Sequence, residues 1–154
     1  MKRFWLLPLA LLLAAPVAAE PDNSRWNLNG DGVVLNGYDA VAYFQQDKAV
    51  PGKAEYAAQY DGARFHFSTP ENQAAFEADP ARYAPQFGGF CAFGVAAKQA
   101  KAPTDPATFK IYHGQLLVFF NDLYEGQRVN TKVLWNQNEA ELYRAATTTW
   151  PTLD

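Results

Sequence analysis

The sequence is poor in the residue types that most often carry chemistry. Its 154 residues include one cysteine, one methionine and two histidines. A lone cysteine, Cys91, excludes any disulfide within the chain and any CxxC redox pair. What stays open is a buried inert thiol, an intermolecular bridge, a redox-active thiol, or a metal or cofactor ligand. The histidines, His66 and His113, form no HExxH zinc motif, and the chain has no nucleophile elbow and no phosphate loop. These absences remove the common hydrolase, redox and nucleotide-binding signatures, and the expectation is a protein that is not an enzyme.

Concentrated positive charge is also missing. The 13 Lys and Arg are scattered among 16 Asp and Glu, so no basic patch exists to hold nucleic acid or an anionic membrane. Long apolar runs are absent except at the start. There Lys2 and Arg3 precede the stretch from Phe4 to Ala15, and Pro16-Val17-Ala18-Ala19 supplies small residues at a cleavage site. The run is shorter than the roughly 20 residues a membrane-spanning helix needs. Residues 1–19 therefore read as a cleaved signal peptide and 20–154 as one exported, soluble, periplasmic domain with no membrane span. Loss of Lys2 and Arg3 leaves 11 Lys and Arg against 16 Asp and Glu, a net charge of −5. Met1 leaves with the signal, so no methionine remains as a copper ligand.

Turn residues divide the rest. Asn29-Gly30-Asp31-Gly32 and Asn36-Gly37 read as turns. Val41 to Phe44 and Glu55 to Tyr60 read as strands. Asp61-Gly62 is the tip of a hairpin whose second strand, Arg64 to Ser68, puts Phe65 and Phe67 on one face by period-two alternation. Ser68-Thr69-Pro70-Glu71 carries a capping residue, a proline where its missing N–H costs little, and a glutamate able to close a capping box. The helix it starts runs through Phe76 and stops near Asp79-Pro80. Ala84 to Gly94 is broken by Pro85 and Gly88-Gly89, and Ala97 to Pro106 reads as a surface loop. Phe109 to Tyr112 and Leu116 to Phe120 form a second hairpin around His113-Gly114, and Gln137 to Thr147 is helical behind Asn136 or Asn138. The class is α+β: a small, mostly antiparallel sheet of hairpins with a central short helix and a C-terminal helix.

Two constellations invite chemistry. Asn27-x-Asn29-x-Asp31-Gly32 partly imitates a calcium loop, but its twelfth position is Tyr38 where a glutamate is required, so the turn reading stands. Cys91, His66 and His113 together are a ligand set suited to copper or zinc. Each histidine also has an ordinary reading, His66 as an outward strand residue and His113 as a turn tip. Aromatic side chains near the glycine turn would suit a small flat ligand beside Cys91.

Several motifs in order resemble the exported YHS-domain proteins. They are Gly37-Tyr38-Asp39-Ala40-Val41-Ala42-Tyr43-Phe44; Tyr60-Asp61-Gly62 with Phe65 to Ser68; Asn72, Phe76, Asp79-Pro80 and Tyr83; Pro85-Gln86-Phe87-Gly88-Gly89-Phe90-Cys91-Ala92; and, further on, Asp105-Pro106, Gly114-Gln115-Leu116 and Trp150-Pro151. The resemblance implies transition-metal handling, copper above all. Aligned on the run from Phe76 to Tyr83, the two cysteine positions of the broader group fall here on Ser68 and Asn72. The expectation is a non-enzymatic domain binding a transition metal, copper first, or a small ligand near Cys91. The alternatives are a thiol-mediated protein interaction or redox module through Cys91, or a purely structural interaction domain.

Overall fold

The computed structural model describes residues 24–153, so the expected signal peptide lies outside the described residues. The fold is α+β. Its strands form three separate two-stranded antiparallel sheets, each a hairpin.

The first pairs β1 (Lys53–Tyr60) with β2 (Ala63–Phe67). Asp61 and Gly62 both take positive φ, 47° and 76°, the pairing of signs that a tight primed turn needs to match strand twist. Phe65 and Phe67 are buried together, as the alternation predicts. Thr69 then caps α2 (Pro70–Ala78), its hydroxyl accepting the Asn72 N–H at 3.1 Å, with Pro70 in the first turn. Because the cap is Thr69 and not Ser68, Glu71 stands one position short of a capping box. A short helix α3 (Pro80–Tyr83) follows, and then a 3₁₀ turn at Gln86–Gly89.

The segment Val41 to Phe44, expected as a strand, is helical: α1 covers Ala42–Gln46. Asp39 decides this. Its Oδ1 accepts the N–H groups of Val41 and Ala42 at 2.9 and 3.2 Å, a capping geometry that bends the chain into a helix before any strand partner is met. The loop expected from Ala97 to Pro106 is also shorter than the sequence suggests. A π-helical turn occupies Gly94–Lys98, and β3 (Asp105–Tyr112) begins at Asp105.

β3 pairs with β4 (Gln115–Phe119) around His113-Gly114, as expected. A third hairpin, β5 (Asn121–Tyr124) with β6 (Gln127–Asn130), and the short helix α4 (Thr131–Trp135) were not foreseen from the sequence. The C-terminal helix α5 (Glu139–Thr149) begins behind Asn138.

Packing is organised by β4. Leu116 and Val118 belong to one apolar cluster with Tyr43, Phe65, Phe67, Phe76 and Tyr83. Leu117 and Phe119 belong to a second with Phe87, Val95, Trp135 and Ala146. A strand sends alternate side chains to opposite faces. The unbroken apolar run Leu116–Phe119 therefore feeds both clusters, and each of its side chains is fully buried. Truncating either face should lower the same unfolding transition. We expect Leu116→Ala and Leu117→Ala each to cost about 2–5 kcal/mol in a single cooperative melt. Two separated transitions in calorimetry would contradict the shared wall.

Candidate functional site

Cys91 enters the site from the glycine turn. Phe87, Gly88 and Gly89 take φ of 55°, 60° and 79°, a left-handed run that only glycine adopts without cost. At Gly88 the requirement is also steric, because a Cβ there would lie 1.7 Å from the Arg25 carbonyl oxygen. The N-terminal segment crosses the turn at that point, with Asn27 N–H donating to Gly88 O at 2.9 Å. The chain then extends through Cys91, which bridges to Val118 of β4 in parallel and donates its N–H to Ala102 O at 3.0 Å.

The Cys91 thiol is buried and hydrogen-bonded. The N–H groups of Gly94 and Phe120 each donate to Sγ at 3.4 Å, and Thr131 Oγ1 lies 3.2 Å away. Thr131 Oγ1 donates in turn to Phe120 O at 3.1 Å and accepts from Phe120 N–H at 3.0 Å. With the threonine hydrogen given to Phe120, the thiol hydrogen has Thr131 Oγ1 as its acceptor. The sulfur thus ties the glycine turn, the end of β4 and the start of α4 into one closed network.

The histidines stand elsewhere. His66 lies on β2 opposite Ala57, half-buried against Gly52, where a Cβ would come within 2.7 Å of the His66 Cβ. Burial holds its pKa below the ordinary value, Arg64 adds to that, and Asp31 opposes it. His113 is exposed at the tip of the β3–β4 hairpin, its ring 4.2 Å from that of Tyr112 and 5.6 Å from that of Tyr143. Three strand residues, Gln115 to Leu117, separate that tip from Val118 beside Cys91, so the tip lies more than roughly 10 Å away at strand spacing. Neither histidine is a hydrogen-bond partner of the thiol. Among the described residues, no group of three or more His, Cys, Asp or Glu is placed to hold a metal ion.

Sequence reasoning did not single out the most heavily hydrogen-bonded carboxylate, Asp39. It is fully buried, and Ser68 and Asn72 both close on it. Its Oδ2 accepts Ser68 N–H at 2.7 Å, Ser68 Oγ–H at 2.6 Å and Asn72 Nδ2–H at 2.7 Å, while Oδ1 holds the start of α1. Ser68 and Asn72, the positions onto which the resemblance aligned two cysteines, are thus side chains that donate to an internal carboxylate. They are ordinary amide and hydroxyl donors, and the set does not fit copper. The signal available in the sequence was Asp39 just ahead of an apolar run, a helix-capping position.

A YHS domain is matched by its family model at residues 41–87. No curated protein and no solved structure matches the chain. The matched residues include His66, Ser68 and Asn72 and end before Cys91, so the thiol network is built outside them.

Two measurements follow from this geometry. Asp39→Ala strands several buried donors at once and should destabilise the fold by on the order of 3 kcal/mol or more, read from denaturant midpoints; a loss under 1 kcal/mol would show that water replaces the carboxylate. His66 has the opposite dependence to an ion-paired histidine. Its folded pKa lies below the unfolded value of about 6.5, so the unfolded chain takes up the proton first and stability falls as pH drops through that value. Melting temperature between pH 7 and pH 5 should therefore decline more steeply in the parent protein than in His66→Gln.

Proposed function

We propose that the chain is an exported, non-enzymatic domain of the YHS type in which Cys91 is a structural thiol, and that binding takes place at its surface. The observation that carries this reading is the closed network around Sγ. A buried sulfur hydrogen-bonded to Thr131, Gly94 and Phe120 has, among the described residues, no adjacent base to make it a nucleophile and no second soft ligand to share a metal. Export rests on the sequence of residues 1–19. It agrees with the thiol's burial, since an accessible cysteine in an oxidising compartment is open to oxidation or bridging.

Copper at Cys91, with His66 and His113, is the competing reading. It requires the two histidines to leave separate hairpins and the thiol to leave its network. A thiol-mediated interaction or redox role likewise requires Sγ to open to solvent.

One experiment separates these. The purified protein is treated with a thiol reagent, native and denatured, and titrated anaerobically with Cu(I) alongside Cys91→Ser. We expect modification only after denaturation, and no Cu(I) binding that depends on Cys91. Rapid native modification would support the thiol reading. A Cu(I) stoichiometry lost in Cys91→Ser, and reduced in His66→Gln or His113→Gln, would establish the metal reading in its place.

A further inference from the structure

On the face where the N-terminal segment crosses the glycine turn lies a cleft of about 210 Å³, lined among others by Arg25, Tyr60, Asp61, Gln86, Gly88 and Trp150. Residues from distant parts of the chain meet here because several contacts fix the crossing. Trp26 Nε1–H donates to Asp61 O at 2.9 Å, and the Trp26 ring packs edge-on against Tyr60 and Phe65. Asn27 Nδ2–H reaches Gly89 O at 3.0 Å, and Lys101 Nζ holds Ser24 O at 2.9 Å. The backbone beneath Arg25 is thus tied on both sides.

Two groups of opposite charge, Arg25 and Asp61, line this cleft. The Arg25 guanidinium sits 5.2 Å from the centroid of the Trp150 ring. A cation–π contact leaves the guanidinium its N–H groups for a carboxylate. Among the described residues Arg25 makes no ion pair or hydrogen bond through its side chain. Asp61 accepts from Trp26 through its backbone carbonyl only, and its carboxylate has no partner either. Among the described residues the Gln86 amide and the Tyr60 hydroxyl are also without a hydrogen-bond partner. Two unlike charges therefore line one cleft without neutralising each other.

From this we infer that the cleft between Arg25 and Asp61 is a binding site for a small zwitterion of the α-amino-acid class, the carboxylate meeting Arg25 and the ammonium meeting Asp61. A simple anion would face Asp61 unpaired and a simple cation would face Arg25, so each is discriminated against by the opposite end. The cleft is smaller than the roughly 300–1,000 Å³ of drug-sized sites, which favours a ligand of few atoms. Cys91 is not among its lining residues.

The test is a chemical-shift titration of the isotope-labelled purified protein with glycine and with L-serine, beside acetate and ethylammonium as half-ligands. We expect saturable shifts of the Gln86 and Gly88 amides and of the Trp150 indole N–H with both amino acids, at affinities at least about ten-fold above either half-ligand. Arg25→Gln and Asp61→Asn should each weaken binding by about ten-fold, with melting temperatures unchanged because both side chains are exposed. Absence of saturable shifts with both amino acids would overturn the proposal. So would acetate binding as tightly as glycine, or unchanged affinity in either variant.

Discussion

The structure depends on one strand having no solvent face. β4 lies between two apolar clusters, with Leu116 and Val118 turned to one and Leu117 and Phe119 to the other. The residues matched as a YHS domain, 41–87, supply Tyr43, Phe65, Phe67, Phe76 and Tyr83 to the first cluster. They do not close it, since Leu116 and Val118 come from outside the matched stretch. The glycine turn, the bridge from Cys91 to Val118 and the Thr131 hydroxyl at the end of β4 then attach the second cluster to the same strand. A buried strand needs its polar backbone satisfied on both sides. That requirement explains why the neighbouring segments meet it so closely.

The elements legible in the sequence are those decided by near neighbours. The Asp61-Gly62 hairpin, the Thr69 cap and the His113-Gly114 turn each rest on residues two or three positions apart. α1 was misread because a four-residue apolar run fits a strand and a buried helix equally. What settles it is Asp39, whose carboxylate also reaches Ser68, 29 positions away. The β5–β6 hairpin has no apolar alternation to announce it, since most of its residues are exposed. Its only local sign is Glu125-Gly126, where both residues take positive φ.

For the candidate site the division is the same. Elimination identified Cys91, and free cysteines are commonly buried, but of the three partners of its sulfur only Gly94 is local and the other two lie 29 and 40 residues on. No local pattern marks Thr131 or the Phe120 N–H as its neighbours. The grouping of Cys91 with His66 and His113 assumed that two hairpins and a turn converge; the hairpins do share the first cluster, but His66 alternates with the buried Phe65 and Phe67 and His113 is exposed at a turn tip. The cleft at Arg25 was invisible for a further reason. Nothing in a sequence tells that an arginine will lie on a tryptophan 125 positions away.

The Asp39 network has a physical logic. Ser68 and Asn72 donate to Asp39, whose carboxylate joins the start of α1 to the end of β2 and the start of α2. A carboxylate that accepts several hydrogen bonds from neutral donors does structurally what a metal ion does with thiolates: it fixes converging chain segments around one charge. The sign of that charge is reversed, and the groups facing it change from acceptors to donors. Such an arrangement is built from groups that are not redox-active. The one cysteine is closed into its own network, and Arg25 and Asp61 are exposed at the surface. On the proposed reading, recognition belongs there, where Arg25 and Asp61 share a cleft and leave each other unpaired.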